Sequence, residues 1–404
     1  MPVGLDRQSQ YHPVFKLAVL MRTKILMLGA DDYPGGVAGY VNLLATLCDP
    51  KKFEFHATVS HINEPGLAFL HRSITKHLMP NAYTYWSLPL RMAQLRRILK
   101  RENITLVHLH TARAGLLGCM ATIGLPIAKV YTGHSWRFEQ KMKKIERLLF
   151  FLYEAFICHS ATVVAFLTKR DKDLGISKGL VQRRKAVTII TRIRSEYIDK
   201  ATTVYPEITR SAYGIQEDAK VIGNVGDLSD RKDPTTFVLA AAKIHAAIPN
   251  AYFLWIGDGV LRETVNQLVR DSGLESRFII TGFKPAEQVP AFLKLMDVFL
   301  FTSRIEGVPL AVLEAQLCGV LVVSSTYPGV NELIENGYTG YTFRPGHDEE
   351  AANMVIRILS DAEQTNNMAA KALTLATANH SDPLRMAHQY EDIYRGAIQT
   401  ILGS

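Results

Sequence analysis

Short apolar runs alternate with longer stretches of helical period along most of the chain. KILMLGA (24–30) reads as a buried strand, and the apolar spacing of AGYVNLLATL fits the helix after it. FEFHATVS predicts a second strand, RMAQLRRILKRENI a basic helix and LVHLH a third strand. ARAGLLGCMATIGL then predicts a helix, AKVYTGH a strand and IERLLFFLYEAFICH a long helix, with ATVVAFLT and AVTII as further strands. The second half repeats the theme. Strands at KVIGNVG, YFLWIGDG, RFIITGF and DVFLFTS are separated by helices predicted over 235–247, 261–272 and 286–295. Strands separated by helical segments imply parallel sheets with helices on both faces. The pattern breaks near 190–216, a polar and irregular stretch, so two α/β units are expected to meet there.

After DVFLFTS comes EGVPLAVLEAQLCG, from Glu306 to Gly319, with two carboxylates, Glu306 and Glu314, around a loop-to-helix junction. Gly307 would let the backbone approach a ligand closely, Pro309 suits a first helical position, and LAVLEAQL predicts a helix from Leu310. A helix start offers unpaired N–H groups and partial positive charge, so it can hold a diphosphate. Glu306 would stand beside that anion, and Glu314 about one turn into the helix. From these residues alone, a grip on a nucleotide-sugar and a buried amphipathic helix with one solvated and one capping glutamate both stay open. VLVV (320–323) then predicts a buried strand, followed by a polar turn from Ser324 through Glu332 into a second helix, NELIENG.

The whole stretch, from FLFTSRIEGVP through GYTGYTFRPG, resembles the donor-binding region of glycosyltransferase family 4, the glycosyl transferases group 1. The resemblance implies an α/β protein of GT-B fold: two facing doubly wound Rossmann-like domains in a retaining, nucleotide-sugar-dependent enzyme. Residues 1–20 would then be an N-terminal extension, 21–200 an acceptor-binding domain and 201–382 a nucleotide-sugar-binding domain. Residues 383–404 would form a helix crossing back to the first domain. It also implies catalytic roles for Glu306, Lys232 and His134, the last ending strand AKVYTGH where an imidazole meets the donor sugar. Gly35 and Gly36, with Gly39, sit at a strand-to-helix turn that faces the cleft in the family. Gly257 in IGDG, and the backbone around Phe283 and Lys284, would meet the base and read uracil. Gly307, Val308, Pro309, Leu310 and Glu314 would hold the diphosphate and ribose.

One position departs from the family pattern. NVGDLSDRKDP matches at Gly226, Leu228 and Lys232, but Asp227 stands where the family commonly has arginine. Losing a fixed cation beside a diphosphate costs on the order of 1.5–3 kcal/mol unless something replaces it. Arg231 is one candidate replacement, and Arg192 and Arg194 are others. His108 and His110 share one face of a strand end. Without a third ligand in the sequence, they read as structural or acceptor-contacting groups.

Composition changes this picture in one respect. A chain of 404 residues suits two domains, and 48% hydrophobic with 21% charged residues is ordinary for a globular protein. The longest apolar run, LLFFLYEAFIC, is too short to span a bilayer and contains Glu154. The first twenty residues make a poor signal peptide, with Asp6, Arg7 and Lys16 and no compact apolar core, and Met21 precedes the first strand. Four cysteines without metal-ligand spacing predict reduced thiols and no zinc site. The net charge of +8, however, divides into +16 over residues 1–200 and −8 over the rest. A basic half points to an anionic partner, nucleic acid or an anionic membrane. WRFEQKMKKIERLLFFLY joins Arg137, Lys141, Lys143, Lys144 and Arg147 to Trp136, Phe138, Phe150 and Phe151, a mixture suited to a bilayer surface. RMAQLRRILKR adds Arg91, Arg96, Arg97, Lys100 and Arg101, each basic group near such a surface contributing roughly 1 kcal/mol. A core-facing stripe with a solvated basic face is the alternative. Nucleic acid is disfavoured for want of an aromatic stacking platform.

The expectation is therefore a retaining, metal-independent glycosyltransferase, cytoplasmic and peripheral at the inner membrane face. A nucleotide-sugar, with a UDP-sugar favoured, would be its co-substrate, with no metal or other cofactor. The acceptor would be lipid-linked or a glycan, in bacterial-type cell-surface polysaccharide synthesis. Glu306 would orient the donor sugar and Glu314 the ribose, while Lys232 and the helix start stabilise the leaving diphosphate. The rivals are a transferase with a soluble acceptor, a nucleotide-sugar epimerase or hydrolase of the same architecture, and a non-catalytic sugar-nucleotide-binding protein.

Overall fold

The computed structural model describes residues 22–29, 36–59, 70–79, 87–139, 142–304 and 306–403. The expected extension, Gly35 and Lys141 lie outside the described residues.

Among the described residues, thirteen strands divide between two wholly parallel sheets. The first holds β1 (Thr23–Leu28), β2 (Phe53–Val59), β3 (Thr75–Leu78), β4 (Leu106–Leu109), β5 (Ala128–Gly133), β6 (Val163–Phe166) and β7 (Ala186–Thr188), in the order β3-β2-β1-β4-β5-β6-β7. The second holds β8 (Lys220–Val225), β9 (Ala251–Ile256), β10 (Phe278–Ile280), β11 (Val298–Phe301), β12 (Leu321–Ser325) and β13 (Tyr341–Phe343), in the order β10-β9-β8-β11-β12-β13. Helices cover both faces, so the central strands are buried on both sides and are apolar without alternation; every residue of AYFLWI in β9 is buried. In each sheet the order reverses, between β1 and β4 and between β8 and β11. Crossovers leave such a point on opposite faces and open a crevice at the carboxyl ends of the strands.

The closing helix, Pro383–Leu402, follows the second domain in sequence but packs into the core of the first. Its Met386, Ala387, Tyr390, Tyr394 and Ala397 are fully buried there among Ile25, Phe53, Phe55 and Val130. The Tyr394 hydroxyl lies 2.8 Å from His108 Nδ1, and the Tyr390 hydroxyl 2.9 Å from Thr132 Oγ1. The Tyr40 hydroxyl donates to Tyr390 at 3.0 Å. The architecture is thus the expected α/β pair of doubly wound domains with a helix crossing back.

Local expectations differ in a few places. The helix expected at NELIENG is a single 3-10 turn, Val330–Glu332. Gly337 there takes a left-handed φ of +79°, and Asn336 and Gly340 bridge to lead the chain into β13. The predicted helix over 286–295 is broken into a 3-10 turn, Ala286–Gln288, and a short helix, Val289–Leu293, with Pro290 in its first turn. The stretch near 190–216 is not wholly irregular, because it contains the helix Glu196–Val204. Strand β3 was not expected: only His77 of its four residues is buried, so it carries no apolar run.

Candidate active site

At the carboxyl end of β8 the loop 226–232 is fastened to the loop after β9. Gly226 N donates to Ile256 O at 3.0 Å, Leu228 N to Asp258 O at 3.1 Å, and Trp255 Nε1 to Gly226 O at 2.8 Å. Gly257 makes the fit possible: its φ is +139°, and a Cβ there would stand 2.0 Å from Gly226 O. Gly257 N also donates to Gly282 O at 3.1 Å, which brings the exposed Phe283 to the same edge. Lys284 Nζ lies 5.6 Å from the centre of the Phe292 ring.

The loop ends in a cap that aims two cations. Asp233 sits at φ +49°, accepts from Thr236 N and pairs with Arg304 Nε at 3.0 Å. Just before it, Lys232 Nζ lies 4.8 Å from the Phe301 ring centre and 2.7 Å from Glu306 Oε1. Arg231 bridges two carboxylates, reaching Glu306 Oε1 at 2.5 Å and Asp227 Oδ1 at 3.2 Å. Ser303 Oγ donates to the same Glu306 oxygen at 3.1 Å. Two cations therefore converge at the topological switch point, each already engaged by a carboxylate. Lys232 and Glu306 are nearly buried, with side chains 12% and 14% exposed, so their pairing is little screened. The carboxylate of Asp227 thus stands beside the Arg231–Glu306 contact. Arg194 instead donates to Thr46 Oγ1 at 2.9 Å, and Arg192 is buried, its charge disfavoured by burial and by Arg385.

Beyond Glu306 the helix runs Leu310–Leu317, with Pro309 as its N-cap at φ −76°, ψ 107°, not as its first helical residue. Glu314 is the fifth residue of this helix. Gly307 has a use the sequence did not suggest. Its missing side chain admits the first domain: a Cβ on Gly307 would stand 1.9 Å from His134 O, and one on Gly329 would stand 1.4 Å from Gly307 O. Val308 packs against the first domain's core and Leu310 against Ile193, Leu313 and Leu317. The side chains of Val308 and Leu310 thus serve packing, while buried Pro309 has no N–H and its carbonyl accepts from Leu313 N at 3.3 Å.

His134 follows β5 and faces this junction, half-buried, with Nε2 3.4 Å from His110 Nδ1 and its ring edge-on to Tyr40. His108 is wholly buried between Tyr394 and Thr132, and His110 beside it keeps Nε2 without a hydrogen-bond partner. Gly36 opens the helix Gly36–Leu47. A second junction was missed, although Glu332 was legible as a charge in a polar turn. Its carboxylate accepts from Lys169 N at 3.2 Å and Arg170 N at 3.0 Å, capping the first-domain helix Lys169–Ser177 from the second domain. A shallow recess of about 610 Å³ lies there, lined by that helix and Glu332. It holds none of the expected donor residues.

Two family models match the chain, glycosyltransferase family 4 over residues 34–189 and glycosyl transferases group 1 over 207–374, one on each domain. The chain belongs to this glycosyltransferase family. It is 28% identical, over 75% of its length and 78% of the relative's, to the UDP-Gal:alpha-D-GlcNAc-diphosphoundecaprenol alpha-1,3-galactosyltransferase of Escherichia coli. It is 27% identical, over 71% of its length and 76% of the relative's, to the alpha-D-kanosaminyltransferase of Streptomyces kanamyceticus. Among solved structures, Anabaena HepE in complex with UDP-glucose superposes with a TM-score of 0.78 at 20% identity, covering 93% of this chain and all of that one. WaaG, a glycosyltransferase involved in lipopolysaccharide biosynthesis, gives 0.69 at 15% identity over 94% of this chain and all of that one. The fold is GT-B.

The basic segment of the transferase differs from expectation in its orientation. Trp136 and Phe138 are buried, and Phe150 and Phe151 pack against the first domain's core. Arg137 is turned inward over the Phe150 ring at 4.6 Å. Arg91 is buried, and Arg96 donates to the Ala121 and Ile123 carbonyls. What the helix Lys144–Ser160 exposes is Ile145, Leu148, Leu149, Leu152 and Phe156, one stripe at helical spacing, next to exposed Lys143, Lys144 and Arg147. No helix among the described residues is long and apolar enough to cross a membrane.

The buried histidines set a pH dependence. Burial holds His134 down to about 4 and His108 to about 3, and it lowers His110 well below its ordinary value. The unfolded chain therefore binds more protons below about pH 6.5, and stability falls as pH drops from there towards the folded values. Burial raises Glu154 to about 7 and raises Asp171 as well, which acts in the opposite direction. The histidines outnumber these, so the urea midpoint is expected to decrease between pH 6.5 and 4.5. Each neutral buried histidine adds up to about 1.4 kcal/mol per pH unit. A midpoint that is flat or rises on acidification would contradict the buried, neutral assignment.

Proposed function

We propose that the transferase moves a sugar from a UDP-sugar to a lipid-linked acceptor at the inner face of a membrane, with retention and without a metal at the donor site, in cell-surface polysaccharide synthesis. The convergence of Arg231 and Lys232 on Glu306 beside the helix start at Leu310 carries this reading. A diphosphate arriving there takes both cations, and Glu306 is released to accept hydroxyls of the donor sugar. Two fixed cations and a helix start supply the charge stabilisation that a divalent ion supplies in other transferases. Gly257, Phe283 and Lys284 border the place left for the base, and Glu314 the place for the ribose. His134, uncharged at neutral pH, meets the sugar from the first domain. The departing phosphate itself takes the acceptor proton. A UDP donor is supported by HepE, solved with UDP-glucose, and a lipid-linked acceptor by the E. coli relative.

Arg231 decides the donor half of the proposal. Calorimetry of UDP binding is expected to show Arg231→Ala weakened at least tenfold, a charge-assisted bond contributing about 1.5–3 kcal/mol. Asp227→Ala should lose only a few-fold, since it orients Arg231 without meeting the ligand. Equal affinity of Arg231→Ala and wild type would exclude Arg231. Wild type whose melting temperature responds to no nucleotide-sugar would exclude the donor reading altogether. Chelator-treated enzyme should retain its turnover, and proton NMR of the product should show the donor's anomeric configuration.

The exposed leucine stripe carries the membrane half. Wild type should co-sediment with vesicles rich in anionic phospholipid, and a Leu148→Asp, Leu152→Asp double variant should stay in the supernatant. Sedimentation that is equal for the two would remove the stripe as a docking face. An acceptor without a lipid would leave wild type in the supernatant too.

A further inference from the structure

At the outer edge of the first sheet, three residues from separate segments come together. His56 lies mid-strand in β2, His77 in the edge strand β3, and Glu102 caps the C-terminus of the helix Leu88–Arg101. One donor atom from each lies within 4.8 Å of the other two, and His56 Nδ1 is 2.9 Å from His77 Nε2. Both imidazoles are buried, at 1% and 6% exposure, while Glu102 is partly open to solvent. We propose that His56, His77 and Glu102 form a site for one divalent transition-metal ion of the zinc class, separate from the donor cleft.

The hydrogen bonds around the cluster fix its protons. Arg101 can only donate, and it points a guanidinium nitrogen at His77 Nδ1, 3.4 Å away. The His77 proton is therefore on Nε2, donated to His56 Nδ1. His56 then carries its proton on Nε2 and donates it to Glu54 Oε1 at 2.9 Å. An imidazole whose far N–H is held by a carboxylate is the arrangement that orients a metal-binding histidine. His56 already has it. For an ion to bind, the His77 proton moves from Nε2 to Nδ1 and Arg101 swings away, and no net proton is gained or lost. Arg101, 63% exposed and paired with Glu102 at 2.8 Å, has solvent to swing into. Metal–nitrogen bonds of about 2.0–2.1 Å in a tetrahedron separate ligand atoms by about 3.4 Å, so the rings need open by only about half an ångström. Two imidazoles and one carboxylate suit zinc-class ions over magnesium or calcium, and water completes the tetrahedron.

The site's position argues for a staple and against a part in sugar transfer. The C-terminus of a crossover helix lies at the amino edge of the sheet, opposite the cleft. The ion would tie β3, short and nearly all exposed, to β2 and to that helix.

The test is zinc titration of chelator-stripped full-length protein, with metal determined after gel filtration. Wild type should retain about one ion per chain, and His77→Ala and Glu102→Gln should bind at least tenfold more weakly. Glu54→Gln should cost roughly 10–100-fold, because a neutral amide holds the His56 Nε2–H less firmly than the carboxylate does. Arg101→Ala should tighten binding, because it frees His77 Nδ1 and Glu102. Glu102→Gln keeps shape at a partly exposed cap, and an unchanged circular dichroism spectrum and melting temperature of each metal-free variant verify its fold. Wild type without retained zinc, or Glu102→Gln and His77→Ala binding as wild type does, would overturn the site and leave a hydrogen-bond relay.

Discussion

Lys232→Ala is expected to lower kcat/KM by roughly 10²–10³, the scale for removing one preorganised group that meets charge developing in a transition state. The lysine is nearly buried, 2.7 Å from Glu306 and against the Phe301 ring, so its charge acts where water screens little. Its ammonium would meet the diphosphate as the sugar–oxygen bond breaks and negative charge accumulates there. Glu306→Gln should be comparably slow by a different route. It frees both cations for phosphate but removes the carboxylate that orients the sugar, so donor affinity is kept or improved while kcat falls. Lys232→Ala, by contrast, should weaken UDP binding as well. This split, read from steady-state kinetics and calorimetry on folded variants, separates the two roles. Turnover within threefold of wild type in either variant would exclude the cation pair as the reaction centre, and retained turnover in both would point the search to the recess at Glu332.

Much of this arrangement was legible in the sequence, for identifiable reasons. Central strands of parallel sheets are buried on both faces, so runs such as AYFLWI and VFLF appear as uninterrupted apolar segments. The loop residues at their carboxyl ends were read from the family resemblance, and they lie where doubly wound sheets open a crevice. Strand β3 was hidden because its burial falls on one histidine, and the helix Lys144–Ser160 was read back to front. Basic and aromatic residues alternate along that segment, but only the fold decides that Phe150 and Phe151 turn inward and Leu148 and Leu152 outward. Asp227 taught the most. By position it subtracts a cation from a phosphate site, whereas in space it stands beside the Arg231–Glu306 contact, between loops 75 residues apart. The capping role of Glu332 was hidden for the same reason, since its partners, the Lys169 and Arg170 amides, lie in the other domain.

Gly307→Ala should reduce kcat/KM by about 100-fold while leaving UDP affinity within a few-fold of wild type. The added Cβ would stand 1.9 Å from His134 O, and backbone on both sides leaves no flexible side chain to yield. Gly329 fixes Gly307 from behind, so the second-domain loop cannot simply retreat. The remaining freedom is a separation of the two domains by an ångström or more at this junction. A misplacement of that size costs about 10² in rate when reacting groups sit on opposite sides of a cleft. Here His134 comes from the first domain, and Lys232 and Glu306 from the second. The nucleotide contacts proposed for Arg231, Lys232, Gly257 and Phe283 all belong to the second domain, so affinity for UDP alone should survive. Parallel loss of UDP binding and turnover would mean that the clash distorts the donor loop itself. Wild-type turnover would mean that the domains do not meet at His134 when the enzyme works, and the half-buried histidine would then lose its place beside the donor sugar.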